Sequence, residues 1–241
     1  MPKPLQVPMF KPETEWVPPT HLPDLSDRKE IAIDLETRDP NLLTMGSGSV
    51  RGDGEVIGIA VAVEGWSGYF PINHEGGGNM DRGLVLDWFE EVLHTDATKI
   101  FHNAMYDVSW IRSMGYQIRG GIIDTLIAAS LIDENRWGYA LNTLGREYVG
   151  MGKNEKILQE AAKEWGINPK SEMWRLPAPL VGEYAEQDAV VTLKLWHALQ
   201  HEISKQDLWD VFNLETNLFP CLVDMKFKGV RVDVAKAEAT K

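Results

Sequence analysis

The sequence predicts an α/β domain in which helices flank a mixed β-sheet. Three observations predict it. Strand-like segments come first, at 31–36, 56–63 and 68–72. Short strand-like segments at 99–103 and 121–124 then alternate with helical ones, the interleaving expected when parallel strands are joined by helices. Acidic residues also gather where strands end and helices begin, which is where α/β sheets place their ligands.

Taken in order, residues 1–28 read as an extended arm. Prolines at 2, 4, 8, 12, 18, 19 and 23 prevent helix and interrupt strand pairing, so the compact domain is expected from about Arg28. Residues 31–36, Ile-Ala-Ile-Asp-Leu-Glu, form a short buried strand with its acids at the C-terminal end. Residues 38–53 read as loop. The run Val-Ile-Gly-Ile-Ala-Val-Ala-Val at 56–63 is the clearest strand, and 68–72 is its hairpin partner. Gly76, Gly77 and Gly78 then suggest a flexible turn, with a phosphate nest as the alternative. Asp81 can cap a helix running to His94, since Leu84, Val85, Trp88, Phe89 and Val92 recur at helical spacing. A helix carrying Asp107 follows the strand at 99–103. Further helices are expected at 125–132, 141–149, 154–165 and 181–199.

Composition shifts again after residue 205. Residues 206–228 read as a long amphipathic helix with Leu208, Phe212, Leu218, Leu222 and Met225, and 229–233 as a turn and cap into another helix. The organisation expected is therefore an arm over 1–28, a main domain over 29–205 and a helical extension over 206–241. The last helix stops at Lys241 without a capping signal, as if it led into further chain.

Composition narrows the function. No apolar run approaches the roughly 18–20 residues that span a bilayer, and the start of the chain lacks the apolar block of a signal peptide. One cysteine, Cys221, excludes an internal disulfide and a Cys-based zinc cluster. A cytoplasmic setting fits. The net charge of −12 opposes broad electrostatic binding of nucleic acid, so the chain alone is expected to hold DNA weakly. A site that recruits divalent cations can still neutralise its own acids locally.

Three short segments carry the chemistry. Asp34 and Glu36 are two apart on a strand and point to the same face. Asn103 and Asp107 are four apart at a helix start, where Asn103 can also act as a cap and Asp107 as an ordinary first-turn acid. Tyr184 and Asp188 are four apart on the helix that follows Pro179. Each pair alone is a weak signal. Together they suit a carboxylate cluster for hard cations such as Mg²⁺ or Mn²⁺, the usual equipment for cleaving a phosphodiester.

With these motifs in this order, 73 residues from Asp34 to Asp107 and 81 from Asp107 to Asp188, the chain resembles the DEDDy 3′–5′ exonucleases. More closely, it resembles the proofreading domain of family A, DNA polymerase I-like, polymerases. Asp34-Leu35-Glu36-Thr37, Asn103-Ala104-Met105-Tyr106-Asp107 and Tyr184-Ala185-Glu186-Gln187-Asp188 match its three motifs. Ile123-Asp124-Thr125-Leu126 and Leu141-Asn142-Thr143-Leu144 match the stretches between. Residues 215–233 resemble the passage into the polymerase domain, and no palm or fingers sequence follows.

The resemblance implies a ribonuclease H-like fold and removal of nucleotides from the 3′ end of DNA, released as nucleoside 5′-monophosphates with two divalent ions. It implies Asp34, Glu36, Asp107 and Asp188 as metal ligands, with Tyr184 orienting the attacking water. Leu35, Thr37 and Asn103 would contact the substrate, and Asp124 would be a supporting group. The partners implied are single-stranded DNA 3′ ends and a polymerase domain, in the same chain or a separate one. The alternatives are an exoribonuclease of the same superfamily and an inactive nucleic-acid-binding scaffold. His74, His94 and His102 are scattered, and a histidine base in place of Tyr184 is a minor alternative. Most tryptophans, such as Trp88 and Trp196, fall at core spacing, which leaves Trp137 and Trp174 for strand contact. Arg38, Arg51 and Lys153 could touch phosphate, though no spacing selects them.

Overall fold

The computed structural model describes residues 13–152 and 155–240. The first twelve residues of the arm, Lys153, Asn154 and Lys241 lie outside the described residues. Five strands form one mixed sheet in the order β3-β2-β1-β4-β5. They are β1 (Glu30–Arg38), β2 (Glu55–Val63), β3 (Trp66–Pro71), β4 (Thr98–Phe101) and β5 (Ile122–Asp124). β1 pairs antiparallel with β2 and β2 with β3, whereas β4 and β5 join in parallel. The strand expected over 99–103 therefore ends two residues early, at Phe101.

The helices follow largely as the periodicity implied. α3 (Arg82–His94) begins at Asp81, whose carboxylate accepts from the Leu84 N–H. α4 (Ala104–Ser113) carries Asp107, and α5 (Thr125–Ile132) matches its expected bounds. α6 (Leu141–Leu144) continues as a π-turn, Gly145–Val149, before the left-handed Gly150. α7 (Lys156–Trp165) buries Leu158, Ala161, Ala162 and Trp165. α8 (Gly182–Lys205) runs six residues beyond the expected end. α9 (Trp209–Lys228) starts later than 206, because Asp207 turns left-handed with φ 56° and separates it from α8. α10 (Val234–Thr240) is capped by Asp233, which accepts from the Lys236 N–H. The segment 38–53, expected as loop, contains two single turns, α1 (Leu42–Met45) and α2 (Gly48–Arg51). Propensity at Gly-, Ser- and Asn-rich positions is too weak to announce them.

The sheet separates two apolar cores. On one face Ile31, Ile33, Leu35, Ile59 and Val61 pack with Val85, Phe89, Val92 and Phe101. On the other face Ala32, Ala60 and Ala62 pack with α8 through Ala185, Ala189 and Leu193. Small side chains on this second face let α8 lie close across β1 and β2. Its middle is fixed to the start of β1, where Glu30 accepts from Trp196 Nε1 at 3.1 Å and from Gln200 at 3.3 Å and pairs with His197.

The described part of the arm lies against this body. Leu25 is buried, the Pro23 carbonyl accepts from Trp88 Nε1 at 2.7 Å, and Trp16 Nε1 donates to Glu186 at 3.1 Å. Packing thus begins before Arg28, because Trp16 and Leu25 supply apolar surface that the proline count does not reveal. At the other end, Phe212, Phe219 and Val223 of α9 are buried against the same body. Among the described residues, no helix is long and apolar enough to cross a membrane.

Candidate active site

β1 is the central strand, and pairing fixes which way its side chains point. Ala32 lies opposite Ala62 and Asp34 opposite Ala60 on the face covered by α8, and Glu36 follows opposite Gly58. A register shift between Glu36 and Thr37 interrupts the regular pairing at the acids, and pairing resumes at Thr37–Val56 and Arg38–Glu55. The strand therefore delivers two carboxylates to one face at the point where the ladder becomes irregular.

Asp107 reaches the same place from α4. It is buried, and its Oδ1 accepts from the backbone N–H of Leu35 at 3.0 Å, between the two β1 acids. Burial first, and then the charge of Asp34, hold its carboxyl well above the usual range. From above, α8 brings Tyr184 and Asp188, one turn apart. Burial pushes the Tyr184 phenol strongly upward, reinforced by Asp188, Glu36 and Asp34. The charges acting most strongly on Tyr184 are all negative. Asp34 and Asp188 share a cleft of about 420 Å³ with His102, Asn103 and Leu141. A larger cleft of about 700 Å³ is lined by Leu35, Glu36, Thr37, Tyr106, Lys170 and Tyr184. Asn103, Ala140 and Leu141 line both. The structure thus brings together all eight residues singled out from the sequence.

The donor set fits a hard divalent cation. Four carboxylates converge on a buried strand end without a thiol, and their burial raises rather than lowers the tendency of Asp107 to hold a proton. A cation in their midst would relieve that strain. Carboxylates also repel one another, and among the described residues no three acids or imidazoles close to metal-enclosing distance.

Asn103 departs from its expected capping role. Its backbone is left-handed, φ 64°, and its side chain caps nothing. The α4 start is instead capped from another strand. Asp124 accepts from the Asn103 N–H at 2.9 Å and the Ala104 N–H at 2.8 Å, and from Leu126 N–H at 2.9 Å as the cap of α5. One carboxylate therefore starts two helices and seats the one that carries Asp107. Burial raises its carboxyl while these N–H donors oppose the rise. The left-handed Asn103 leaves its side chain to line both clefts, as a substrate contact requires.

Other candidates sort by place. His102 lines the smaller cleft, and its Nδ1 donates to Thr125 Oγ1 at 2.8 Å, since that hydroxyl gives its own hydrogen to the Phe101 carbonyl at 3.1 Å. His74 is buried elsewhere and His94 ends α3. Arg38 stacks 4.6 Å over the Trp174 ring. Arg51 is paired with Asp53 and Asp39. Trp137 is fully exposed, two residues before Tyr139 of the smaller cleft. Sequence reasoning missed three features: Lys170 in the larger cleft, the Thr37–Tyr106 hydroxyl pair at 2.6 Å, and the Tyr69–His74 pair at 2.6 Å. Tyr106 lies within the second motif, so a search for hydroxyls beside the acids would have found it.

The geometry can be set against known proteins. A family model described as 3′–5′ exonuclease, of the DNA polymerase A type, matches residues 21–204. A DNA-directed DNA polymerase of Pseudomonas phage M6 is 38% identical over 95% of this chain and 36% of its own length. The chain spans about a third or less of the length of the curated relatives it matches. Among solved structures, Brucella melitensis NrnC with bound Mg²⁺ has a TM-score of 0.62 and 18% identity, covering 86% of this chain and 90% of that one. Escherichia coli RNase D, an exoribonuclease involved in structured RNA processing, has a TM-score of 0.56 and 17% identity, covering 86% and 47%. At those identities the structural likeness speaks for the fold alone.

Proposed function

The chain belongs to the 3′–5′ exonuclease family of DNA polymerase A type, on a ribonuclease H-like fold, and from that premise we propose that it removes nucleotides from the 3′ end of single-stranded DNA. The observation that carries the reading is the convergence of Asp34, Glu36, Asp107 and Asp188 with Tyr184 where α8 crosses the irregular end of β1. Asp34, Glu36, Asp107 and Asp188 would hold two divalent ions, Mg²⁺ or Mn²⁺. Such ions supply an activated water and stabilise the leaving 3′-oxygen.

The chain's own residues do the rest. Tyr184 stays a neutral phenol, because burial first, and then the acids around it, raise its pKa, so it orients the attacking water by hydrogen bonding and does not act as a base. Leu35, Thr37 and Asn103 line the larger cleft, where a terminal nucleotide is held beside Glu36 and Tyr184. Asp107, tied to the Leu35 N–H, keeps the α4 acid in register with the β1 acids. Trp137, fully exposed and two residues before Tyr139 of the smaller cleft, offers a stacking surface for the strand. We assign residues 1–28 as an arm, 29–205 as the exonuclease domain and 206–241 as the start of a polymerase domain. DNA synthesis would then belong to a partner in the same or a separate chain, in keeping with relatives that are longer DNA polymerases.

The second reading is an exoribonuclease, since metal-assisted hydrolysis at the phosphate does not itself involve the 2′-hydroxyl. Matched DNA and RNA single strands of one sequence, 5′-labelled and incubated with Mg²⁺ or Mn²⁺, decide between them. Faster shortening of the DNA from its 3′ end supports the proposal. Faster shortening of the RNA establishes the alternative, and no shortening of either refutes both.

A further inference from the structure

The Gly76-Gly77-Gly78 run is neither a loose turn nor a phosphate nest. It is one half of a clasp. Residues 174–178, which lead into α8, lie directly on it. The Glu75 N–H donates to the Trp174 carbonyl at 2.9 Å, and the Ala178 N–H donates to the Gly77 carbonyl at 2.9 Å. A Cβ on Gly76 would stand 2.3 Å from the Pro177 nitrogen, and one on Gly78 would stand 2.8 Å from Pro179. Only glycine permits this contact. The loop is itself closed, because the Asn79 amide exchanges hydrogen bonds with the His74 backbone at 2.7 and 2.8 Å.

At the centre of the clasp is His74, 3% exposed. Its Nδ1 faces the Leu176 carbonyl at 3.1 Å, and a carbonyl only accepts, so Nδ1 carries the hydrogen. Its Nε2 then accepts from the Tyr69 hydroxyl at 2.6 Å. Tyr69 stands opposite Ala60, in the row that continues to Asp34, and leans over Gly58 so closely that a Cβ there would be 2.0 Å from its hydroxyl. Gly58 is in turn paired with Glu36. A continuous set of contacts therefore runs from the sheet row bearing the β1 acids, through Tyr69 and His74, to the backbone eight residues before Tyr184. The far end of this half of α8 is fixed independently, through Glu30.

We infer that His74, with Tyr69, is a positioning residue that sets the active-site end of α8, and with it Tyr184 and Asp188, at its working distance from Asp34 and Glu36. The inference rests on the assignment of Tyr184 and Asp188 to the site. A misplacement of one ångström can cost on the order of a hundredfold in rate, so loosening the clasp reads out in turnover and in metal affinity.

The test uses the whole chain with His74→Leu, His74→Asn and Tyr69→Phe. Single-stranded DNA cleavage is measured with Mn²⁺, and Mn²⁺ binding is followed separately by calorimetry. His74→Leu removes both hydrogen bonds. It is expected to lower kcat by about ten- to a hundredfold with KM for DNA little changed, and to raise the Mn²⁺ concentration at half-saturation. His74→Asn keeps a donor where Nδ1 was and should recover part of both losses. Tyr69→Phe, which keeps the ring, covers the case in which His74→Leu fails to fold. Added to a folded His74→Leu it should cost nothing more, since its partner is already gone. A folded His74→Leu, or else Tyr69→Phe, with wild-type kcat and wild-type metal half-saturation overturns the inference. A wild-type chain that binds Mn²⁺ yet releases no nucleotide overturns the exonuclease reading instead, and the metal half-saturation of the variants still judges the clasp. A wild-type chain that does neither overturns both.

Discussion

The two faces of β1 are built on opposite principles. Toward α3 and α4 the strand presents Ile31 and Ile33, each at most 1% exposed and packed among aliphatic and aromatic side chains, before Leu35 reaches the cleft. Toward α8 it presents Glu30, Ala32, Asp34 and Glu36, backed on β2 by Gly58, Ala60 and Ala62. The first face buries large apolar area and so carries stability. The second gives up that area for close approach of a helix; α8 is bonded to it at Glu30, and the segment leading into α8 is bonded to His74. One strand can thus serve as the main support of the fold and as the floor of the site, because successive side chains face opposite ways. Chemistry and stability should separate along it, residue by residue.

The largest effect expected on the α8 face is the loss of an acid. Asp188→Ala should lower cleavage on the order of 10³-fold, measured as mononucleotide released per minute, while its metal-free melting temperature does not fall. On the opposite face Ile33→Ala should cost about 2–4 kcal/mol of stability by urea unfolding, with the rate per folded molecule unchanged. A change in that rate would break the separation.

Acid sharpens the comparison further. Burial lowers the pKa of His74 from 6.5 to about 4. The unfolded chain therefore binds a proton between those values that the folded chain refuses. The contribution is complete above pH 6.5 and is lost as pH falls toward 4, amounting to about 3 kcal/mol. Asp107, shifted upward by burial and Asp34, acts in the opposite sense. Urea titrations of the wild type and His74→Asn at pH 7 and 4.5 isolate the imidazole, and the difference in stability between them should shrink or reverse at the lower pH. A difference independent of pH would show that His74 is not held neutral. A smaller effect is expected at Gly58. Gly58→Ala overpacks Tyr69 and should cost about 1–3 kcal/mol, together with a measurable loss of cleavage rate. An equal loss of stability with an unchanged rate would detach Tyr69 from the site.

What was legible in the sequence was local. The continuous apolar run of β2, the Asp81 cap and the apolar turns of α5 are each written within a dozen residues. The acids were legible only through the motifs taken together and in order, and the fold places Asp34, Glu36, Asp107, Tyr184 and Asp188 around the end of β1. What was not legible depends on segments far apart in the chain. Asp124 caps α4 from 20 residues away, so Asn103 was free to turn left-handed. His74 meets Leu176 across 102 residues, and no periodicity links them. The glycines at 76–78 read as flexible because composition shows only that the backbone can turn, whereas what fixes them is the chain that lies on top. Trp16 looked like part of a free arm for the same reason, its partner Glu186 being 170 residues on.

The most direct test of the separation is to compare wild type with Asp34→Ala in one preparation, measuring both nucleotide release from a 5′-labelled single strand with Mn²⁺ and the melting temperature in EDTA. The two-faced account predicts a 3′-shortened ladder for the wild type, none for the variant or in EDTA, and a variant that melts at or above the wild-type temperature because a repelling charge has been removed. A variant that loses cleavage only by unfolding at a lower temperature would contradict it, and would make Asp34 a support of the fold.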